Sequence, residues 1–384
     1  MYKNTDVIII TGEYVNKLKK LSEFLKNEIV VVLSFLLALI SAFFVAPSEK
    51  YIEYIDFRTI SLLFCLMIIM AGLNALGIFK ILAHKLLIHV KNIVHLVLTF
   101  VLLCFFSSMI ITNDVALITF VPFTIITLNM AGLQRKLIYV VVLETIAANL
   151  GSMLTPIGNP QNLYLVSAFN IGIVDFVKTI FPYALLSLLF LIIASLFSGK
   201  EAVQFNDDFK MEKPDLKRTI LYCILFLCAL FCVFRFVHFL VLLAVVVVSV
   251  LIFNRKVFLK VDYSLLFTFV FLFIFIGNLG SIQSISDFLY SIVAGNEVIT
   301  GIAASQIISN VPAAILLSGF TDNVRALLIG VNIGGLGTLI ASMASLISFR
   351  FVQQEKINNS KYLLVFTAVN IAFLAANLIL YFII

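Results

Sequence analysis

Two stretches of the chain place polar side chains inside apolar runs. Residues 108–120 (SMIITNDVALITF) contain Thr112, Asn113 and Asp114, and residues 305–317 (SQIISNVPAAILL) repeat the pattern in nearly the same letters. Hydroxyl, amide and carbonyl oxygens are suitable ligands for a hard cation, and the N–H groups at a helix N-terminus can hold an anion. The two stretches are therefore candidates for ion binding.

The composition places these stretches in a lipid environment. Of the 384 residues, 62% are hydrophobic and 12% are charged, and the mean hydropathy is +1.15. A soluble protein cannot bury that much apolar surface, so the fold class is an all-α polytopic membrane protein. The net charge of +6 is then a signal of topology and not of nucleic-acid binding.

Apolar runs of about the length of a spanning helix are separated by short loops. They cover residues 28–46, 59–79, 176–198, 219–234, 237–253, 262–280 and 362–383. Three other apolar stretches, 93–130, 137–170 and 298–352, are interrupted by polar residues, Gly and Pro. We expect those three to contain helix breaks.

The basic residues of the loops predict the orientation. Residues 1–26 form an amphipathic segment rich in lysine, which we place in the cytoplasm. Counting spans from there puts the C-terminus outside a cell membrane. Lys80 and Lys91 lie in a loop that we expect inside, as we do for Arg135. The chain between Lys91 and Arg135 is either two full spans with an outer loop, or a re-entrant hairpin with its tip near mid-membrane.

The second interruption predicts a helix that unwinds in mid-span. Residues 151–162 read GSMLTPIGNPQN, and their prolines and glycines are unfavourable inside a helix. The only long polar segment follows the next span and separates two halves. We divide the chain into a cytoplasmic amphipathic segment (1–26), a first transmembrane repeat (27–198), a cytoplasmic linker (199–218), a linking span (219–236) and a second, inverted transmembrane repeat (237–384).

The second half restates the polar positions of the first. One alignment of the halves, which we call the tip alignment, pairs Ser108 with Ser305, Thr112 with Ser309 and Asn113 with Asn310. A second, which we call the break alignment, has a shorter offset along the chain. It makes a further set of pairs: Asn149 with Asn332, Gly151 with Gly334 and Thr155 with Thr338.

The extra span between the halves turns the second copy upside down. Each copy is predicted to contain a re-entrant hairpin and a broken transmembrane helix, an architecture typical of secondary transporters. Irregular backbone at membrane depth is tolerated only where protein or a water-filled cavity satisfies its polar groups. That constraint favours re-entrant hairpins over full spans, with the polar triplets as binding-site tips. Ligands would be cations on the freed oxygens and a small anion on the half-helix N-termini.

The tips SMIITND and SQIISNV, with ANLGSMLTPIGNPQN and VNIGGLGTLIASMAS, resemble the ion transporter superfamily. It includes divalent anion/sodium symporters, citrate carriers, arsenite pumps and some sodium/proton antiporters. The resemblance covers nearly the whole chain but does not specify a substrate. It implies Na⁺ as a coupling ion, an elevator-like movement of a mobile domain that carries the tips across the membrane, and a homodimer.

The resemblance also implies the positions of ligands. One Na⁺ site would include Ser108, Thr112, Asn113 and Gly151, and a second Ser305, Ser309, Asn310 and Gly334. A small anionic substrate would bind between the tips, near Asn113, Asn310, Thr155 and Thr338. Asp114 and Asn159 lie beside these positions, and we include them as candidates.

The sequence departs from the symporters at the third tip position. Asp114 and Val311 stand where the symporters have Thr, a pattern closer to arsenite pumps and citrate carriers. A carboxylate would repel a dianion unless it is protonated or paired with a cation. Asp114 could cap the helix that follows and could also take up the coupling proton. Glu144, inside an apolar helix, is a second proton-coupling candidate.

We therefore predict an ion-coupled (Na⁺ or H⁺) secondary transporter of a small anion such as a di- or tricarboxylate. The alternatives are an arsenite-type oxyanion exporter, a Na⁺/H⁺ antiporter, or, from another class, a channel. An enzyme is not expected, because HExxH and GxSxG motifs do not occur. No organic cofactor is expected, and the partners are the lipid bilayer and the substrate.

Overall fold

The computed structural model describes residues 28–87, 90–199, 201, 214–355 and 357–384. Every regular element within these residues is helical, which confirms the all-α fold class. The predicted amphipathic segment 1–26 and most of the predicted linker 199–218 lie outside the described residues.

The described part of the first half contains nine α-helices in chain order. They are α1 (Ile29–Phe44), α2 (Lys50–Tyr54), α3 (Phe57–Ala75), α4 (Ile78–Leu87), α5 (Ile93–Ile111), α6 (Asn113–Met130), α7 (Leu137–Ser152), α8 (Pro160–Ala168) and α9 (Ile173–Leu196). A short 3₁₀-helix, Gln134–Lys136, precedes α7.

The second half begins after the linker. Its helices are α10 (Leu216–Val233), α11 (Phe239–Phe253), α12 (Tyr263–Ser281), α13 (Gln283–Val293), α14 (Glu297–Ile308), α15 (Asn310–Ser318), α16 (Val324–Ile333), α17 (Met343–Gln354) and α18 (Asn359–Ile383). Two 3₁₀-helices, Arg255–Lys260 and Leu339–Ala341, precede α12 and α17.

Seven of the described helices are long and apolar enough to cross a membrane. They are α3, α5, α6, α9, α10, α12 and α18. The helices α13 and α14 together would make an eighth span, bent by 107°. The chain is therefore a multi-pass membrane protein, as its composition predicts.

Three features differ from the prediction. α10 begins at Leu216 and not at 219, because the Asp215 carboxylate accepts hydrogen bonds from the Lys217 and Arg218 amides and caps the helix. The predicted loop around Lys80 contains an amphipathic helix, α4. A second amphipathic helix, α13, occupies residues for which the sequence predicts no element. Each lies between a span and a hairpin.

The helices pack as two groups. In one group, α10 and α11 pack against α3, and α1 packs against α12. The other group contains the two helix hairpins and the broken helices, with α7 in contact with α5, α6, α9, α17 and α18. α3 contacts α8, and α12 contacts α15, so these pairs join the groups. We call the second group the hairpin body.

Candidate functional site

The two polar triplets lie at sharp breaks between helices, and the two breaks have the same backbone. Thr112 separates α5 from α6 with φ 71° and ψ 154°. Ser309 separates α14 from α15 with φ 73° and ψ 153°. Positive φ is uncommon for residues other than Gly, so the coincidence is specific. Asn113 and Asn310 each begin the second helix and are buried.

The arms of the two hairpins differ in length. α5 has 19 residues and α6 has 18, so each is long enough to span a membrane. α14 has 12 residues and α15 has 9, which is too short for a span. The first break is nevertheless not a loop in water, because the Asn113 amide donates to the Gly158 carbonyl at 3.2 Å and the residue is 5% exposed.

Each hairpin packs against a broken helix through a glycine at the end of that helix. A Cβ added to Gly151 would lie 2.1 Å from the Phe105 carbonyl oxygen and 2.8 Å from its Cα. A Cβ added to Gly334 would lie 3.0 Å from the Cα of Ile302. The tip alignment pairs Phe105 with Ile302, so equivalent glycines approach equivalent points of the hairpins.

A threonine in each unwound segment bonds to the hairpin in the same way. Thr155 donates its hydroxyl to the Met109 carbonyl at 2.5 Å. Thr338 donates to the Gln306 carbonyl at 3.4 Å. Because the tip alignment also pairs Met109 with Gln306, the contact is repeated in both halves. Thr338 is exposed, whereas Thr155 is half-buried.

The broken helices bond to each other reciprocally. Asn149, near the end of α7, donates to the Ser345 hydroxyl of α17 at 3.4 Å. Asn332, near the end of α16, donates to the Asn162 side-chain oxygen of α8 at 2.7 Å. The break alignment pairs Asn149 with Asn332 and Asn162 with Ser345, so the two bonds are equivalent. Each half therefore completes the broken helix of the other half.

Asn149 is the centre of a hydrogen-bonded network at the first tip. Its Oδ1 accepts from the Asn113 side chain at 3.1 Å and from the Ser342 hydroxyl at 3.0 Å. Asn149 and Ser342 are buried, and neither is among the predicted site residues. The pairing of Asn149 with Asn332 is the sequence signal that could have identified the first of them. Ser342 lies in the other half of the chain, and only the fold brings it near.

At the second tip, the Gln306 side chain bonds to the unwound backbone. Its Nε2 donates to the Gly334 and Leu336 carbonyls at 2.9 Å each, and its Oε1 accepts from the Thr338 amide at 2.9 Å. It thus satisfies the backbone of the unwound segment. Asn310 is not bonded to Asn332 as Asn113 is to Asn149, and the Asn332 Oδ1 has no hydrogen-bond partner.

The other predicted ligands are brought to the breaks, but with different partners. Ser108 and Ser305 donate to carbonyls of their own helices, at 2.9 Å and 2.7 Å. Ser309 is 3.4 Å from the Asn310 side-chain oxygen. Asn159 accepts from the Ser152 hydroxyl at 2.9 Å, within its own segment.

The carboxylate of Asp114 makes no capping bond. Its Oδ1 is enclosed without a hydrogen-bond partner, although the whole residue is partly exposed. Val311, at the equivalent place, is buried. Glu144 lies about one and a half turns before Asn149, away from the tips, and is fully buried. The two proton-coupling candidates therefore occupy separate places.

The oxygen atoms at the breaks are suitable ligands for a hard monovalent cation and not for a transition metal. The oxygen atoms bonded to Asn113 and Asn310 belong to amide, carbonyl and hydroxyl groups. Among the described residues, no group of three or more His, Cys, Asp or Glu side chains could hold a metal ion. A cavity of about 410 Å³ between residues 169–175 and 322–325 lies away from both tips.

Comparison with known proteins identifies the class. Residues 7–326 match the family model described as a citrate transporter. An uncharacterized transporter of Methanocaldococcus jannaschii is 38% identical over 307 residues, covering 79% of this chain and 83% of that protein. The inner membrane protein YbiR of Escherichia coli is 32% identical over 327 residues, covering 82% of this chain and 86% of that protein.

A shorter match is to the P protein of Homo sapiens. The two chains are 30% identical over 125 residues, which is 32% of this chain and 14% of that protein. The fold, the breaks and these matches define a multi-pass membrane protein of the secondary anion transporter class. The chain belongs to the citrate transporter family. The family agrees with the expectation of a transporter and not an enzyme.

Proposed function

We propose that the protein is an ion-coupled secondary transporter of a small anion such as a di- or tricarboxylate. Substrate binds between the two tips, and alternating access exposes it to each side in turn. The observation that carries the proposal is the pair of equal breaks at Thr112 and Ser309. Each break presents a helix N-terminus, at Asn113 and Asn310, to a buried polar region where an anion and its coupling cation can be held.

The repeated contacts of the unwound segments support an inverted repeat. The glycine approach, the threonine bond and the reciprocal asparagine bonds all follow the same two alignments. The division into two packed groups supports an elevator-like movement, in which the hairpin body moves against α3 and α12. The cytoplasmic N-terminus, the external C-terminus and the homodimer are parts of this proposal.

Asp114 favours a second candidate function, Na⁺/H⁺ exchange. An enclosed carboxylate oxygen beside the first tip can bind a proton or contribute to a cation site. It would also disfavour a dianion unless it is neutralised. An arsenite-type exporter shares these requirements, so the substrate and the coupling ion must be measured together.

The test is ligand-dependent thermal stability of the purified protein. Na⁺ is titrated against Li⁺ and K⁺, with and without citrate, succinate and arsenite. We expect Na⁺-selective stabilisation that is lost in Asn113→Ala and Asn310→Ala, and a further increase with one class of anion. If Na⁺ has no effect and Asp114→Asn abolishes a pH-dependent change, proton coupling replaces Na⁺ coupling in the proposal.

Counterflow in proteoliposomes separates a carrier from a channel. A carrier shows saturable exchange of labelled anion against an excess of unlabelled anion inside, because each transport cycle returns an occupied site. A linear, non-saturating flux without exchange would replace the transporter proposal with a channel.

A further inference from the structure

Glu144 is a fully buried carboxyl inside the hairpin body. It lies in α7, and the residue is 0% exposed. α7 is surrounded by α5, α6, α9, α17 and α18, which all belong to the same body. The carboxyl therefore lies within the hairpin body.

The hydrogen bonding of this carboxyl is incomplete. The Thr124 hydroxyl of α6 donates a hydrogen bond to its Oε1. Its Oε2 is enclosed and has no partner. A buried carboxylate with one unsatisfied oxygen is costly unless a cation lies beside it. Among the described residues, no Lys, Arg or His lies within ion-pair distance of Glu144.

The groups that face Glu144 are neutral or become negative on ionisation. Cys104 of α5 and Tyr362 of α18 lie within electrostatic range of the carboxyl. On the α17 side, the hydroxyls of Thr145 and Ser348 bond to each other at 2.7 Å. Among the described groups around the carboxyl, the Thr124 hydroxyl is the one donor to it, and none of these groups is a cation.

Glu297 shows what a buried carboxylate with adequate donors looks like in this protein. It is 4% exposed, and its Oε1 accepts from the Thr321 hydroxyl at 2.8 Å and the Gly295 amide at 3.0 Å. Glu144 has comparable burial but a single donor. The difference between them is the supply of donors and not the depth of burial.

We propose that Glu144 is a proton-binding site of the hairpin body, which holds a proton in this conformation and exchanges it with water. On release, the O–H bond of the carboxyl breaks, the proton passes to water as hydronium, and the carboxylate remains. The statement that this proton exchange takes part in a transport cycle rests on the function proposed above. The proton itself moves with the body and is separate from the tips.

The position along α7 connects this site to the first tip. Glu144 precedes Asn149 by five residues, which is about 7.5 Å along a helix. A carboxylate at that distance attracts a cation held near Asn113 and Asn149, whereas a protonated carboxyl does not. Proton release at Glu144 and cation binding at the first tip therefore favour each other.

Infrared difference spectroscopy of the full-length protein in lipid nanodiscs tests the proposal directly. We expect a carbonyl stretching band of a protonated carboxylic acid that decreases reversibly as the bath is changed from about pH 6 to about pH 9. Glu144→Gln should lose this band, because the amide cannot be protonated in that way. Glu144→Asp keeps a carboxyl and should retain the band at a changed frequency.

Glu297→Gln is the matched control and should keep the band of the wild type. An unchanged band in Glu144→Gln, or no band in the wild type, overturns the assignment. A band that stays constant over the whole pH range makes Glu144 a permanently neutral structural group, and also overturns the proposal. These outcomes are judged from the carboxyl band itself and not from stabilisation by an anion or Na⁺, so a failed transport proposal is recognised separately by the thermal titrations.

Discussion

The two tips share a backbone, but they are supported differently. At the first tip, the Asn113 side chain bonds to Asn149, which in turn accepts from Ser342 of the other half. At the second tip, Gln306 bonds to the unwound backbone, and Asn332 bonds instead to Asn162. The first tip is thus held by side chains that can be ion ligands, and the second by an amide that substitutes for backbone pairing. We infer that the first tip contributes more to ion binding than the second.

The largest expected effect is at the glycine contacts. Gly151→Ala should lower the free energy of unfolding by about 3 kcal/mol, because its Cβ would overlap the Phe105 carbonyl, a backbone group that cannot move alone. Gly334→Ala should cost about 1–2 kcal/mol, since its closest approach, 2.6 Å to the Gly330 carbonyl oxygen, is less severe. Unfolding in detergent followed by circular dichroism measures both.

Gly280→Ala is the control for these variants. A Cβ at Gly280 has no atom within 4 Å, and the residue lies in α12. Its stability should be unchanged or slightly raised, as Ala is the better helix former. Equal losses at Gly151 and Gly334 would show that the two close approaches are equivalent.

The asparagine network should show the next largest effect. Asn149→Ala leaves the Asn113 side-chain amide and the Ser342 hydroxyl without their acceptor. We expect the free energy of unfolding to fall by about 2 kcal/mol. Asn332→Ala removes the bond to the Asn162 side chain and a bond to the Leu328 carbonyl of its own helix, and should cost about 1 kcal/mol. Thermal unfolding compares them.

The same pair separates structural from ligand-binding roles. Na⁺-dependent stabilisation should disappear in Asn149→Ala and persist in Asn332→Ala. Persistence in both would remove the proposed inequality between the tips and confine Asn149 to a structural role.

Exchanging the hairpin residues of one half for those of the other sharpens the comparison. Gln306→Met installs the residue that stands at the equivalent position 109 and leaves two carbonyls and one amide unpaired, at a cost of about 2 kcal/mol. Met109→Gln should change stability by less than about 0.5 kcal/mol. The carbonyl of Gly151, the equivalent of Gly334, already accepts from the Leu154 amide and does not need the new side chain. A matching loss in both would contradict the support assigned to Gln306.

The smallest effect is expected at the repeated threonines. Thr155→Val should cost about 1 kcal/mol, because it removes a 2.5 Å hydrogen bond. Thr338→Val should cost roughly 0.3 kcal/mol, because its 3.4 Å contact is long and lies at an exposed position. Unfolding free energies in the same detergent give the difference, and a reversed order would mean that the second tip is the more tightly closed.

Much of the fold follows from local sequence. Long apolar runs predict most of the spans, and the Pro and Gly residues of 151–162 predict the unwinding, which the structure has between Ser152 and Pro160. The amphipathic helices α4 and α13 do not follow in the same way, because lysines and polar side chains at a membrane surface resemble a loop.

The candidate site was less predictable. The tip residues could be identified because polar types are scarce in such runs and recur in the same order in both halves. Ser342 and Ser345 could not, since isolated serines in helices and at their starts usually bond to nearby backbone. Their role depends on Asn149, which belongs to the other half of the chain, and nothing local specifies that contact.

The reciprocal bonds have a consequence for biosynthesis. Asn149 and Asn162 enter the membrane with the first half, while Ser342, Ser345 and Asn332 are synthesised roughly 10–40 s later at ordinary translation rates. Until then, the Asn149 side-chain amide lacks its acceptor and the Asn162 side-chain oxygen lacks its donor at membrane depth. We therefore expect insertion chaperones to bind the nascent first half. Ribosome stalling between the halves should expose it to quality-control proteolysis.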